Sequence, residues 1–89
     1  MLTKEFTIID PNGLHARPAT HAVKVAASYK ADIRLEFNGR KVDMKSILGV
    51  MSLGAKMGDK FSVHADGEDE QEGLEFIEET LIKEGIIKA

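Results

Sequence analysis

The sequence predicts an α+β fold: a four-stranded, mostly antiparallel sheet with helices packed on one face, in the order β-α-β-β-α-β-α. Three observations carry the prediction. Ile33, Leu35 and Phe37 alternate with charged residues and run into Asn38-Gly39, the strongest short hairpin signal. Ala19, Ala22, Val23, Ala26 and Tyr29 recur at helical spacing. Phe61, Val63 and Ala65 alternate at a strand period before Leu74, Ile77 and Leu81 return to a helical one.

Taken in order, the first strand spans Leu2 to Ile9, with Leu2, Phe6 and Ile8 on one face. Asp10-Pro11-Asn12-Gly13 breaks it with four turn-favouring residues. A helix follows from about Ala16 to Tyr29, its stripe rich in small residues that let it lie close to a sheet. The hairpin around Asn38-Gly39 sets a register in which Leu35 faces Val42 and Ile33 faces Met44. On the other face Glu36 meets Lys41, Arg34 meets Asp43 and Asp32 meets Lys45, every pair of opposite sign. Ser46 caps a short helix from Ile47 to about Leu53, stopped by Gly54. After a Gly58-Asp59 turn, Lys60 to Asp66 forms the fourth strand. Gly67-Glu68-Asp69-Glu70 opens the last helix with acids at its positive end. Gly85 ends that helix, and Ile86 is placed for the apolar contact of a Schellman cap.

The chain has 89 residues, the size of one domain spanning 1–89. It has no cysteine, so neither a disulfide nor a thiolate metal site supplements its small core. That fits a reducing compartment. The net charge of −3 argues against sequence-independent nucleic-acid binding. Charges interrupt the N-terminal segment before any signal-peptide apolar region forms, and no apolar run is long enough to span a bilayer. These features predict a cytoplasmic, monomeric protein with no membrane insertion.

Chemistry concentrates in Asn12-Gly13-Leu14-His15-Ala16-Arg17-Pro18-Ala19. Pro18 suits a first helical turn, where its missing N–H has no partner. The free amides of that turn, Ala16 and Arg17, favour an anion. Arg17 adds a fixed charge with bidentate reach to phosphate oxygens. An ordinary imidazole, with a pKa of about 6.5, is largely neutral and nucleophilic near pH 7. His15 is therefore a candidate phosphoryl acceptor, against the bland alternative of a surface or capping histidine. The N-cap is either His15 or Arg17, because a residue before proline avoids the α region. His21 and His64 read as structural or surface residues. No Asp/Glu spacing supports a metal site, and no nucleotide loop or nucleophilic triad is present. Neither a metal nor a cofactor is expected.

The second notable stretch is Lys45-Ser46-Ile47-Leu48-Gly49-Val50-Met51. Ser46 at a helix N-terminus could carry a phosphate without unfolding the helix. Ile47, Leu48, Val50, Met51 and Leu53 exceed what one face of so short a helix can bury, so part of them is expected at the surface.

These two motifs, and the chain as a whole, resemble the histidine-containing phosphocarrier (HPr) family of the bacterial phosphoenolpyruvate-dependent sugar phosphotransferase system, in its Gram-positive form. The resemblance implies an open-faced β-sandwich. It implies that enzyme I phosphorylates Nδ1 of His15, and that His15 passes the group to IIA domains of sugar permeases. Arg17 would stabilise the phosphate. Ser46 would be phosphorylated by an ATP-dependent HPr kinase/phosphorylase, slowing transfer and creating a corepressor for the catabolite control protein. Ala16, Thr20, Lys24, Ile47, Leu48 and Met51 would contact partners. The chain would then be a covalent carrier rather than a self-contained catalyst. Its rival is a purely regulatory, Ser46-switched binding module, although paralogues of that kind lose the histidine. An acyl-carrier reading at Ser46 is weak, because no acidic residue precedes the serine.

Overall fold

A computed structural model describes residues 1–89. Its elements are β1 (Leu2–Thr7), α1 (Ala16–Ala27), β2 (Asp32–Phe37), β3 (Arg40–Asp43), α2 (Ile47–Met51), β4 (Lys60–Asp66) and α3 (Glu70–Lys83). The strands form one sheet in the order β1-β4-β2-β3, and every neighbouring pair is antiparallel. The sheet is thus antiparallel throughout.

The hairpin register follows from alternation and turn chemistry. Asn38 and Gly39 both take positive φ, 53° and 79°, as the twist-matched two-residue turn requires. Leu35 faces Val42, Glu36 faces Lys41 and Arg34 faces Asp43. Met44 lies just beyond β3, and its N–H donates to the Ile33 carbonyl at 2.9 Å.

The charged side chains, however, do not pair across this hairpin. Arg34 Nε donates to Asp32 Oδ2 at 3.1 Å on its own strand. Glu36 bonds His64 Nε2 at 2.7 Å on β4. Lys45 Nζ reaches the Tyr29 carbonyl at 2.9 Å. Exposed ion pairs contribute little, so opposite signs across the ladder do not oblige the side chains to pair.

One face of the sheet carries Phe6, Ile33, Leu35, Phe61, Val63 and Ala65, all buried beneath the helices. Against them lie Ala19, Ala22 and Ala26 of α1 and Leu74, Ile77 and Leu81 of α3. The alanines let α1 approach closely. No polar or charged residue is buried in this core, so folding it leaves no polar side chain to be satisfied internally. The opposite face stays polar and open.

Both ends of the chain help define the site. β1 stops at Thr7, two residues short of the sequence-based boundary. The Ile8 N–H donates to the Asp59 carbonyl at 2.9 Å, and the Ile9 N–H to Ile86 at 2.8 Å. Ile8 instead makes an isolated bridge with Ile87. α3 closes with both bonds of a Schellman motif: Gly85 N–H to Ile82 and Ile86 N–H to Leu81, each 3.0 Å. Ile86 is fully buried behind that cap. α1 and α2 each end two residues earlier than periodicity alone implies, with Ser28 and Ser52 as C-caps.

Candidate functional site

Residues 10–13 form a turn that delivers His15 to the start of α1. The Gly13 N–H donates to the Asp10 carbonyl, and the Asn12 N–H to Asp10 Oδ1, both at 2.8 Å. Gly13 lies at φ +66°, and a Cβ added there would stand 2.5 Å from the Ala55 carbonyl oxygen. The Leu14 N–H donates to that same oxygen at 3.1 Å. The loop therefore lies flat against residues 55–56, and no side chain fits at position 13.

His15 is the N-cap of α1, with extended backbone and no side-chain capping bond. The first intrahelical bond runs from the Ala19 N–H to the His15 carbonyl at 3.0 Å. The amides of Ala16 and Arg17 precede it and have no helical acceptor, while Pro18 carries no N–H. The alternative with Arg17 as N-cap is thereby corrected: Arg17 is helical. Proline disfavours the α region before it, but that is a steric preference. Burial of Pro18 and Ala19 and the bond to His15 outweigh it.

The imidazole is turned toward Asp10. Nε2 of His15 lies 3.1 Å from Asp10 Oδ2, with the two side chains 38% and 16% exposed. The Asn12 N–H holds the Asp10 carboxyl below its ordinary range, and the hydrogen bond from His15 adds to this. An ionised carboxylate only accepts, so the shared proton sits on Nε2. In the neutral ring Nδ1 then carries the free lone pair, and no hydrogen bond within the chain engages it. The sequence marks Asp10 as a turn former alone. The available signal was a carboxylate five residues before the histidine, across a tight turn.

Arg17 is exposed on the first turn of α1, and no ion pair engages its guanidinium. Ala16 and Lys24 are exposed on the same helix, and Thr20 is half-buried, its hydroxyl donating to the Ala16 carbonyl at 2.8 Å. α2 packs against α1. Ser46 caps α2, its Oγ accepting from the Gly49 N–H at 3.2 Å. Leu48 is 82% exposed and Ile47 and Met51 are partly so, whereas Val50 and Leu53 are buried. Met57, in the loop after α2, is a further exposed apolar residue that periodicity did not single out.

The other two histidines stand apart from this group. His21 Nδ1 is 2.7 Å from Glu84 Oε2. His64 bridges Thr3 and Glu36 on the polar face of the sheet, at 2.9 and 2.7 Å.

A family model described as the phosphorylation site of the HPr component of the phosphotransferase system matches residues 2–83. The chain belongs to the HPr family. Solved HPr structures extend the match over the fold. A histidine-containing phosphocarrier protein of Mycoplasma is 32% identical, covers 99% of this chain and 100% of its own, and superposes with a TM-score of 0.97. HPr of Bacillus anthracis is 37% identical, over 89% and 94% of the two chains, at 0.82. The Bacillus subtilis catabolite-repression protein Crh, a swapped dimer, is 38% identical over 99% and 100%, at 0.72. As in the HPr fold generally, an open antiparallel sheet supports helices on one face. No helix of the chain is long and apolar enough to cross a membrane.

Proposed function

We propose that residues 1–89 act as a single phosphocarrier domain of the sugar phosphotransferase system, with the phosphoryl group on Nδ1 of His15. The observation that carries this reading is the uncapped start of α1, with a histidine at its N-cap whose Nδ1 is unengaged. A phosphate on that nitrogen would meet the unsatisfied amides of Ala16 and Arg17 and the positive end of the helix dipole. The Arg17 guanidinium, free of other partners, would pair with its oxygens. The donor would be enzyme I and the acceptors IIA domains of sugar permeases, met in the cytoplasm.

Docking would use Ala16, Thr20 and Lys24 of α1 together with Ile47, Leu48 and Met51 of α2. An exposed apolar strip with a methionine suits a carrier that must fit several partners in turn. Ser46 lies beside that strip. Its phosphorylation by an HPr kinase/phosphorylase would add a charge of about −1.5 to −2 at the docking surface, slowing transfer and offering a new surface to a catabolite control protein.

Incubation with phosphoenolpyruvate and enzyme I tests the carrier role. An acid-labile phosphate is expected on the wild-type protein and absent from His15→Ala. Labelling of His15→Ala would refute the assignment. A second, acid-stable label from ATP and the kinase should survive in His15→Ala and vanish in Ser46→Ala. If only the second label forms, the chain is the Ser46-switched regulatory module instead.

A further inference from the structure

A carboxylate beside the landing site of a phosphate needs a reason, because it repels the incoming anion. Asp10 is such a group, and the structure holds it firmly in place. Its Oδ1 is committed to the Asn12 N–H at 2.8 Å, which leaves Oδ2 aimed at the ring, 3.1 Å from Nε2. The backbone on both sides is pinned as well. Ile9 bonds the C-terminal tail through Ile86, Gly13 bonds Asp10, and Leu14 bonds Ala55. The Asp10 side chain is mostly sheltered from water, so the pair is less screened than a surface contact.

We propose that Asp10 is a positioning residue for phosphoryl transfer, holding the His15 ring by its Nε2–H and stabilising the positive charge that the ring acquires. The inference rests on the carrier reading of His15. In the uptake step, the Nδ1 lone pair forms the N–P bond. The bond from phosphorus to the donor breaks, and its electron pair leaves with the donor. The Nε2 proton stays on the ring, which becomes a phosphoimidazolium facing the Asp10 carboxylate. In delivery, a lone pair of the acceptor's nucleophile forms the new bond to phosphorus, the N–P electron pair returns to Nδ1 and the ring becomes neutral again. No proton has to cross in either direction. The role parallels that of a carboxylate behind a catalytic histidine: it sets tautomer and orientation and stabilises the cation without taking the proton.

Asp10→Ser tests this, because a serine hydroxyl can still accept from the Asn12 N–H and keep the turn while losing the carboxylate. Two readouts are needed: the rate of phosphoryl uptake from phosphoenolpyruvate and enzyme I, and the ring ¹⁵N spectrum of His15. Uptake by Asp10→Ser is expected to fall roughly fivefold to tenfold, the scale of one charge-assisted hydrogen bond in a half-exposed site. The ring spectrum should move from a single Nε2–H form toward a mixture of tautomers. Asp10→Glu, which restores the charge on a longer stem, should recover part of the rate. An unchanged rate, or a slower rate with an unchanged ring spectrum, would overturn the proposal while leaving the carrier reading intact. Failure of the wild-type protein to take label at His15 would overturn both.

Discussion

The starts of α1 and α2 are built oppositely. α2 opens on Ser46, whose hydroxyl closes onto the Gly49 N–H. α1 opens on His15, whose side chain turns away to Asp10 and leaves the first amides uncapped. A capped helix start is locally satisfied; an uncapped one is less stable but retains an anion site. One end thus spends its side chain on its own helix, and the other keeps its amides for a phosphate. The start of α3 is a third solution. Asp69 sends its carboxylate to the Lys30 and Ala31 amides, both at 2.8 Å, and so ties α3 to the loop entering β2.

The largest structural effect is expected from disturbing the loop that presents the uncapped end. Gly13→Ala forces a side chain into a positive φ and onto the Ala55 carbonyl. It should lower stability by roughly 2 kcal/mol or more in denaturant unfolding, with phosphoryl uptake reduced in the remaining folded protein.

Exchanging the capping chemistry should move stability in opposite directions. Ser46→Ala removes the cap of α2 and should cost about 1 kcal/mol. His15→Ser gives α1 a capping hydroxyl and should add about 0.5 kcal/mol while abolishing uptake. Stability gained with uptake lost is what a helix start left uncapped for function predicts. Equal losses in both variants would break the comparison.

A smaller effect is expected at α3. The Lys30 N–H, with that of Ala31, holds the Asp69 carboxyl below its ordinary range, despite opposing desolvation. A folded-state value below the unfolded one contributes stability above the ordinary carboxylate range, about pH 4, and that contribution is lost as pH falls through the lowered value. Asp69→Asn should therefore melt below wild type at neutral pH, and the gap between their melting temperatures should narrow on acidification. Melting curves across pH check this; a gap that widens in acid would contradict it.

Much of this was legible in the sequence because it is local. The Asn38-Gly39 turn and the alternation around it are sufficient for the register of β2 and β3. His15, Ala16 and Arg17 lie in one short motif and Ser46, Ile47, Leu48 and Met51 in the other, so the chain order alone keeps each group together, and Thr20 and Lys24 follow the first motif on the same helix. What escaped depends on tertiary contact. Ile8 and Ile9 keep a strand-like pattern but bond Asp59 and the C-terminal tail, and no window around residue 8 contains those partners. Glu36 faces Lys41 as expected, yet its carboxylate goes to His64, since a neighbouring strand offers a better-placed donor. Asp10 is the instructive case. Its turn-forming role is real, through Oδ1 and Asn12, and that local explanation hid the second oxygen aimed at His15.

The most direct test of the central claim is ¹⁵N and ³¹P NMR of the protein phosphorylated through phosphoenolpyruvate and enzyme I. An N–P bond is expected at Nδ1 of His15, with the largest amide shifts at Ala16 and Arg17 and little change at Gly49. Phosphate on Nε2, or on Nδ1 with the Ala16 and Arg17 amides unmoved, would contradict it.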